Sequence, residues 1–139
     1  MSHPNRNSLN GHTSLPAIIL VERDAVTLEL YQRELCKSFT VFALTELKGV
    51  MEVVTSQDIR AVIIEPEIDS GKGWELVHSI HEALPGRFIP VIVCSTRDAR
   101  ASGLAVEVTK YLTKPVLPQI LREKTLEVVK EKGRSRKTE

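Results

Sequence analysis

Five short apolar runs, rich in β-branched residues, recur along the chain and constrain its fold more than any other feature. The runs are Ala17–Val21, Phe39–Ala43, Ala61–Ile64, Pro90–Cys94 and Thr109–Leu112. The first, third and fourth are almost continuously apolar, which is typical of strands buried on both faces of a parallel sheet. Parallel neighbours require crossover connections, and the segments between the runs have helical spacing. The sequence therefore predicts an α/β protein with a (βα)5 doubly wound, five-stranded parallel sheet.

Apolar residues three and four apart between the runs predict the connecting helices. The apolar positions are Leu28, Tyr31 and Leu35, then Leu47, Val50, Met51 and Val54, then Val77, Ile80 and Leu84. Asp24 is the expected N-cap of the first helix and Thr45 that of the second, and a Pro-Gly pair ends the third. Residues 98–105 have room for about two helical turns. The last helix is expected to run to about Lys132.

A single domain of ordinary size is expected from the 139 residues, of which 42% are hydrophobic and 27% charged. Residues 1–15 are interpreted as a disordered leader, residues 16–132 as the domain and residues 133–139 as a flexible tail. The net charge of +1 gives no overall attraction to nucleic acid or membrane, and no apolar run approaches the ~20 residues of a membrane span. The two cysteines lack C-x-x-C spacing and are interpreted as buried reduced thiols, so the expected location is the cytoplasm.

Polar residues stand at the ends of four of the predicted strands. Glu22, Arg23 and Asp24 follow the first run, Glu65 the third, Ser95 the fourth, and Lys114 and Pro115 the fifth, which contains Tyr111. In a doubly wound sheet, ligands bind in the crevice at the carboxyl ends of the strands. Two or three acids, a hydroxyl and a lysine are therefore expected to converge on one crevice. No nucleophile–base pair or metal cluster is visible, so an enzyme in the ordinary sense is not expected.

This constellation resembles the receiver domain of two-component response regulators, over roughly residues 17–132. The resemblance implies a flavodoxin-like receiver fold. In that family an acidic pair after the first strand holds Mg²⁺, and an aspartate after the third strand accepts a phosphoryl group from a histidine kinase. A Ser or Thr after the fourth strand and the lysine of a Lys-Pro dipeptide, whose bond is typically cis, contact that group. The matching residues are Ser95, Lys114 and Pro115, with Tyr111 at the aromatic switch position and Gly73 at a turn before the third helix.

The departures from the family pattern define the expected function. Glu65 stands where the resemblance places the phosphoacceptor aspartate, and Arg23 stands at the second position of the acidic pair. Glu22 and Glu65 carry two negative charges. Arg23 and Lys114 carry two positive charges, so the expected crevice is neutral without a metal. We expect no cofactor and no Mg²⁺, because Arg23 replaces an acidic ligand and can pair with Glu65 or Glu22. Asp24 is displaced toward the helix N-cap.

The sequence therefore predicts an atypical receiver that acts as a phosphorylation-independent protein-interaction module in two-component signalling. Its expected partner is a signalling protein, either a histidine kinase or an output protein. The sequence is also compatible with a homodimer, whereas nucleic acid and membrane are not expected as partners. By the resemblance, the contact face would comprise the short fourth helix, the fifth strand and the fifth helix.

Three other interpretations are open. In the first, the domain is a working phosphorelay receiver that accepts a phosphoryl group at Glu65 or at a neighbouring acid such as Asp69. In the second, Glu65, Arg23 and Lys114 form only a stabilising salt-bridge network, a kind of pair in which desolvation can cancel the attraction. The third, a flavin-binding domain of the flavodoxin kind, ranks last, because no loop rich in Ser, Thr and Gly follows the first strand. Trp74, the only tryptophan, is interpreted as a packing residue.

Overall fold

The computed structural model describes residues 14–96 and 108–137, in which strands and helices alternate from β1 to β4 and a further strand and helix follow. The strands are β1 (Ala17–Val21), β2 (Thr40–Leu44), β3 (Ile59–Ile64), β4 (Val91–Ser95) and β5 (Lys110–Thr113). The helices are α1 (Ala25–Leu35), α2 (Val50–Ser56), α3 (Ile68–Ala83) and α4 (Pro118–Lys137). The short helix predicted over residues 98–105 and most of the predicted leader lie outside the described residues.

All five strands form one parallel sheet in the order β2-β1-β3-β4-β5, which confirms the predicted doubly wound topology. The chain changes direction across the sheet between β1 and β3, the position at which such sheets open a crevice. Val21 of β1 pairs in register with Ile64 of β3. The residues that follow them, Glu22 and Glu65, are therefore placed side by side at the carboxyl edge of the sheet.

Two apolar cores cover the two faces of the sheet, because successive residues of a strand point to opposite faces. In β1, Ile19 and Val21 belong to one core, and Ile18 and Leu20 belong to the other. The first core lies beneath α2 and α3 and includes Trp74, whose predicted packing role is confirmed. The second core lies beneath α1 and α4. Burial of the central strands on both faces explains why their sequences are continuously apolar.

The helix boundaries differ from the predicted ones in two places. The second helix begins directly after Gly49, whose φ of 93° is left-handed, so the predicted cap at Thr45 is wrong. Leu47 nevertheless packs against the core from the bend before the helix, and its position therefore fits the helical spacing. At the other end of the chain, α4 continues past the predicted end near Lys132 to Lys137.

The first turn of α3 departs from regular helical geometry. Asp69, Ser70 and Gly71 all have left-handed backbone angles. Gly73 lies so close to the preceding loop that a Cβ atom there would be 2.7 Å from the Pro66 Cα atom. Glycine at this position therefore allows the start of α3 to pack directly against the loop after β3.

Replacing Gly73 with alanine is expected to lower the free energy of unfolding by about 1–3 kcal/mol, the usual cost of overpacking. In an unobstructed helix the same change stabilises by roughly 0.5–1 kcal/mol, so the sign of the effect reports the close contact. Urea unfolding monitored by the fluorescence of Trp74 measures the change. Ser79→Ala, at an exposed position of the same helix, is the control and is expected to alter stability little. A Gly73→Ala protein more stable than the original would contradict the contact.

Candidate functional site

Three charged side chains meet at the carboxyl edge of the sheet. Glu22 follows β1 and is 4% exposed, Glu65 follows β3, and Lys114 follows β5. The Lys114 Nζ atom lies 2.6 Å from Glu22 Oε1 and 3.4 Å from Glu65 Oε1. One ammonium therefore donates to two carboxylates that come from neighbouring strands. These three side chains are called the crevice cluster below.

Backbone groups fix Glu22 from the other side. Its Oε2 atom accepts a hydrogen bond from the Asp24 N–H at 3.1 Å, and the Glu22 N–H donates to the Leu44 carbonyl at 3.0 Å. Both oxygens of the Glu22 carboxylate thus have donors. A nearly buried charge requires such complete pairing, since desolvation without it is costly.

Asp24 serves the first helix rather than the crevice. Its Oδ2 atom accepts from the Thr27 hydroxyl at 2.6 Å and from the Thr27 backbone N–H at 3.0 Å, which confirms the predicted N-cap. These two bonds, the hydroxyl bond foremost, lower the pKa of the Asp24 carboxyl below its ordinary value. The acid closest to Glu22 in sequence is thereby committed to holding α1.

Lys114 keeps its charge in spite of its partial burial. Burial by itself would lower the pKa of the ammonium, but the hydrogen bond and charge of Glu22, followed by the charge of Glu65, raise that pKa above its ordinary value. The crevice cluster therefore contains two carboxylates and one ammonium, a formal charge of −1.

Arg23 does not enter the crevice, so the predicted pairing of Arg23 with Glu65 or Glu22 is wrong. Its side chain is exposed, and the ion pairs of both glutamates are made with Lys114. Successive side chains after β1 still alternate in direction: Glu22 turns into the crevice and Arg23 turns to solvent. The prediction that the crevice is neutral is therefore wrong. Without Arg23, the crevice cluster carries a formal charge of −1.

The other predicted residues lie along β4 and β5. Ser95 is buried at the end of β4, and its carbonyl accepts the Lys114 backbone N–H at 2.8 Å. The Lys114–Pro115 peptide bond is cis. Tyr111 lies in register with Val93 and packs, partly buried, against the core beneath α2 and α3. Ser95 and Lys114 thus reach the same edge as the glutamates, while the switch roles of Ser95 and Tyr111 stay predictions.

Tyr31 of α1 holds the loop after β5, although the sequence pattern gives it only a packing role. Its hydroxyl donates to the Val116 carbonyl at 3.0 Å, next to the Lys114–Pro115 bond. Burial, as the largest cause, raises the pKa of this hydroxyl well above its ordinary value, so it stays protonated and able to donate at neutral pH. The signal that could have found it is the residue type, because a buried tyrosine usually has a partner for its hydroxyl.

Cys94 gives the fold a pH dependence that can be measured. Burial, as the largest cause, raises the pKa of its thiol to about 11 from an ordinary 9.0. Between pH 9 and pH 11 the thiol of the unfolded chain loses its proton while the buried Cys94 thiol keeps it. The free energy of unfolding therefore falls over this range, by about 1.4 kcal/mol per pH unit. Cys94→Val is expected to make the loss of stability above pH 9 less steep. Urea unfolding at several pH values between 8 and 10.5 measures both slopes, and equal slopes would contradict the expectation.

The carboxylates that the resemblance assigns to a Mg²⁺ ion are engaged by other groups in this structure. Mg²⁺ requires about six oxygen ligands in octahedral geometry, with one or two carboxylates as anchors. Here both glutamates bind the Lys114 ammonium, and the Asp24 carboxylate caps α1. Over residues 14–96 and 108–131, no three His, Cys, Asp or Glu side chains form a group that could hold a metal ion. The acids that the resemblance assigns to a metal are held here by a lysine and by a helix.

The chain has the fold of CheY-like response-regulator receiver domains. A CheY-like receiver domain protein from Methanospirillum hungatei JF-1 superposes with a TM-score of 0.74 and 22% identity over 88% of this chain and 99% of that one. A receiver domain protein from Clostridium thermocellum gives a TM-score of 0.73 and 18% identity, over 86% and 98%. Response regulator TrrA from Thermotoga maritima, solved in complex with Mg²⁺-BeF, gives 0.72 and 17%, over 82% and 99%. These structures establish the shared fold.

Curated relatives agree with the receiver resemblance over part of the chain. The chemotaxis protein CheY homolog of three strains of Campylobacter jejuni subsp. jejuni is 27% identical over 77 residues. The match covers 53% of this chain and 59% of each relative, so the chain spans about three fifths of their length. No known protein-family model matches the chain. Each helix in the described part of the chain is too short or too polar to cross a membrane.

Proposed function

We propose that the chain is a receiver domain of two-component signalling that works through protein contacts and without phosphorylation. The fold and the similarity to CheY homologs support the receiver part of the proposal. The observation that carries the rest is the 2.6 Å contact from Lys114 Nζ to Glu22, with Glu65 on the same ammonium. The proposed module is not an enzyme; it is cytoplasmic, and its partner is a histidine kinase or an output protein.

Phosphoryl transfer depends on positioning of the acceptor and on cations that stabilise charge in the transition state. In the crevice cluster, the Glu65 carboxylate already accepts a charge-assisted hydrogen bond, and its side chain is one methylene longer than that of aspartate. Glu22 is the closer partner of Lys114. A metal ion that bound Glu22 would have to displace that ammonium, and the longer side chain places the Glu65 carboxylate away from the position of an aspartate. Both features oppose phosphorylation.

The same contacts favour a single state of the crevice. In the proposed module, Glu65 is a permanent acidic group at the place where the resemblance puts a transient phosphoryl group. Signalling then depends on whether a partner is bound, because no covalent group is exchanged. The partner recognises the folded domain as it stands.

A phosphotransfer assay tests this proposal. The full chain is incubated with acetyl phosphate and Mg²⁺, and its intact mass is measured over several hours. We expect no phosphoryl adduct. A hydroxylamine-sensitive adduct mapped to Glu65 or Asp69 would show instead that the chain is a working phosphorelay receiver. A receiver domain with an ordinary phosphoacceptor aspartate is treated in parallel. Its phosphorylation shows that the acetyl phosphate is an active donor.

A further inference from the structure

We propose that this chain self-associates through the exposed face of α1, with a second copy of the chain as its partner. The face, called here the α1 stripe, consists of Val26, Glu29, Leu30 and Arg33, which lie three and four residues apart on one side of the helix. It differs from the contact face that the resemblance suggests, which involves the fifth strand and the helices beside it. The proposal goes beyond the proposed function and does not depend on whether Glu65 is phosphorylated.

Apolar side chains stay exposed along the α1 stripe and beside it. Val26 is 70% exposed and Leu30 48% exposed. Leu117, in the loop between β5 and α4, is 65% exposed. Leu30 lines a groove of about 410 Å³ together with Val116 and Pro118, the two neighbours of Leu117. The groove thus connects Leu30 to the loop that carries Leu117, and exposed apolar side chains beside a groove are typical of an interaction site.

The charges within the α1 stripe favour a second copy of the chain as the partner. Glu29 and Arg33 form an ion pair at 3.0 Å and are still 73% and 71% exposed. A partner of one sign would attract one of these groups and repel the other. A second copy of α1, running antiparallel, offers Arg33 to Glu29 and Glu29 to Arg33, so both charges gain an opposite neighbour. The α1 stripe is therefore complementary to itself, as a two-fold interface requires.

The extent of the patch favours a weak dimer over a permanent one. Antiparallel packing of two α1 helices brings Leu30 of both copies together near the two-fold axis, with Leu117 at the flank. Stable interfaces bury about 800 Å² on each partner, more than these few apolar side chains supply by themselves. We therefore expect a Kd in the range of about 10–500 μM.

Sedimentation equilibrium of the full chain, from about 10 μM to 1 mM, measures the proposed association. The expected result is a monomer–dimer equilibrium. Leu30→Glu places charge in the apolar centre and is expected to weaken dimerisation by about 100-fold. Arg33→Glu places like charges opposite each other and is expected to weaken it by about tenfold. Exchanging the two charges, Glu29→Arg with Arg33→Glu, restores both opposite pairs and is expected to return the Kd to within about threefold of its original value.

Arg60→Glu is the matched control, because it makes the same charge change at the start of β3, outside the α1 stripe. It is expected to leave the Kd unchanged. Circular dichroism and the fluorescence of Trp74 verify that each variant is folded. A chain that is monomeric at the highest concentration overturns the proposal, and so does a dimer that Leu30→Glu does not weaken. Failure of the charge exchange to restore dimerisation would place the contact elsewhere and would overturn it as well.

Discussion

Replacing Lys114 with methionine is expected to lower the free energy of unfolding by about 3–5 kcal/mol, the cost of removing one partner of a buried ion pair. Methionine keeps much of the apolar stem of the lysine, so the loss reports mainly the missing charge. Glu22 is 4% exposed and would lose the ammonium that lies 2.6 Å away and offsets its burial. Urea unfolding at pH 7, followed by the fluorescence of Trp74, measures the change.

A second substitution separates the effect of the unpaired Glu22 charge on stability from the effect of lost side-chain packing. Adding Glu22→Gln to Lys114→Met removes the uncompensated carboxylate, and we expect it to recover roughly half of the lost stability. Lys110→Met, in β5, is the matched control: Lys110 pairs with the exposed Glu127 at 3.4 Å, and its loss is expected to cost no more than about 1 kcal/mol. If Lys114→Met costs as little as this control, the pair between Lys114 and Glu22 does not behave as a buried one.

Arg23→Asp combined with Glu65→Asp is expected to convert the crevice into a Mg²⁺-dependent phosphoacceptor. The two substitutions remove the exposed cation that follows Glu22, supply a carboxylate at the position that the resemblance gives to a metal-binding acid, and shorten the side chain at position 65 by one methylene. The crevice then has the acidic residues that the receiver resemblance assigns to metal binding and phosphoryl transfer. We expect phosphoryl labelling by acetyl phosphate and Mg²⁺ to rise by at least about tenfold over the unmodified chain.

A matched variant shows which part of the change matters. Arg23→Ala with Glu65→Asp removes the arginine without supplying a ligand, and because Arg23 is exposed we expect this variant to stay unlabelled. Equal labelling of both variants would mean that the new carboxylate does not bind the metal. Absence of labelling in both variants would contradict the prediction.

Much of this fold is predictable because strands buried on both faces leave a strong signal in the sequence. Each of the five predicted runs overlaps an observed strand, and the run Ala17–Val21 coincides with β1. The start of the second helix is harder to predict from the sequence. Leu47 reaches the core from a bend, and an apolar residue that faces the core fits a helical period whether or not its backbone is helical.

The positions of the crevice residues follow from the order of the strands, but their pairing does not. The sheet places Glu22 beside Glu65 and brings Lys114 to the same edge. Which cation enters the crevice depends on the direction in which each side chain leaves the backbone. Arg23 points to solvent, while the long stem of Lys114 carries its ammonium back to Glu22. Spacing along the sequence gives that direction only where the alternation of the strand continues past its end, as it does after β1.

The hydrogen bond from the Tyr31 hydroxyl to the Val116 carbonyl connects α1 directly to the loop after β5. Val116 lies between Lys114, which belongs to the crevice cluster, and Leu117, which borders the α1 stripe. The loop cannot carry the ammonium away from the crevice without breaking this bond, at a net cost of about 1 kcal/mol, or pulling the helix with it. We therefore expect a movement of this loop to change the position of α1, the helix that carries the α1 stripe. Because such coupling is reciprocal, we expect binding at the helix and movement of the loop to influence each other by the same free energy.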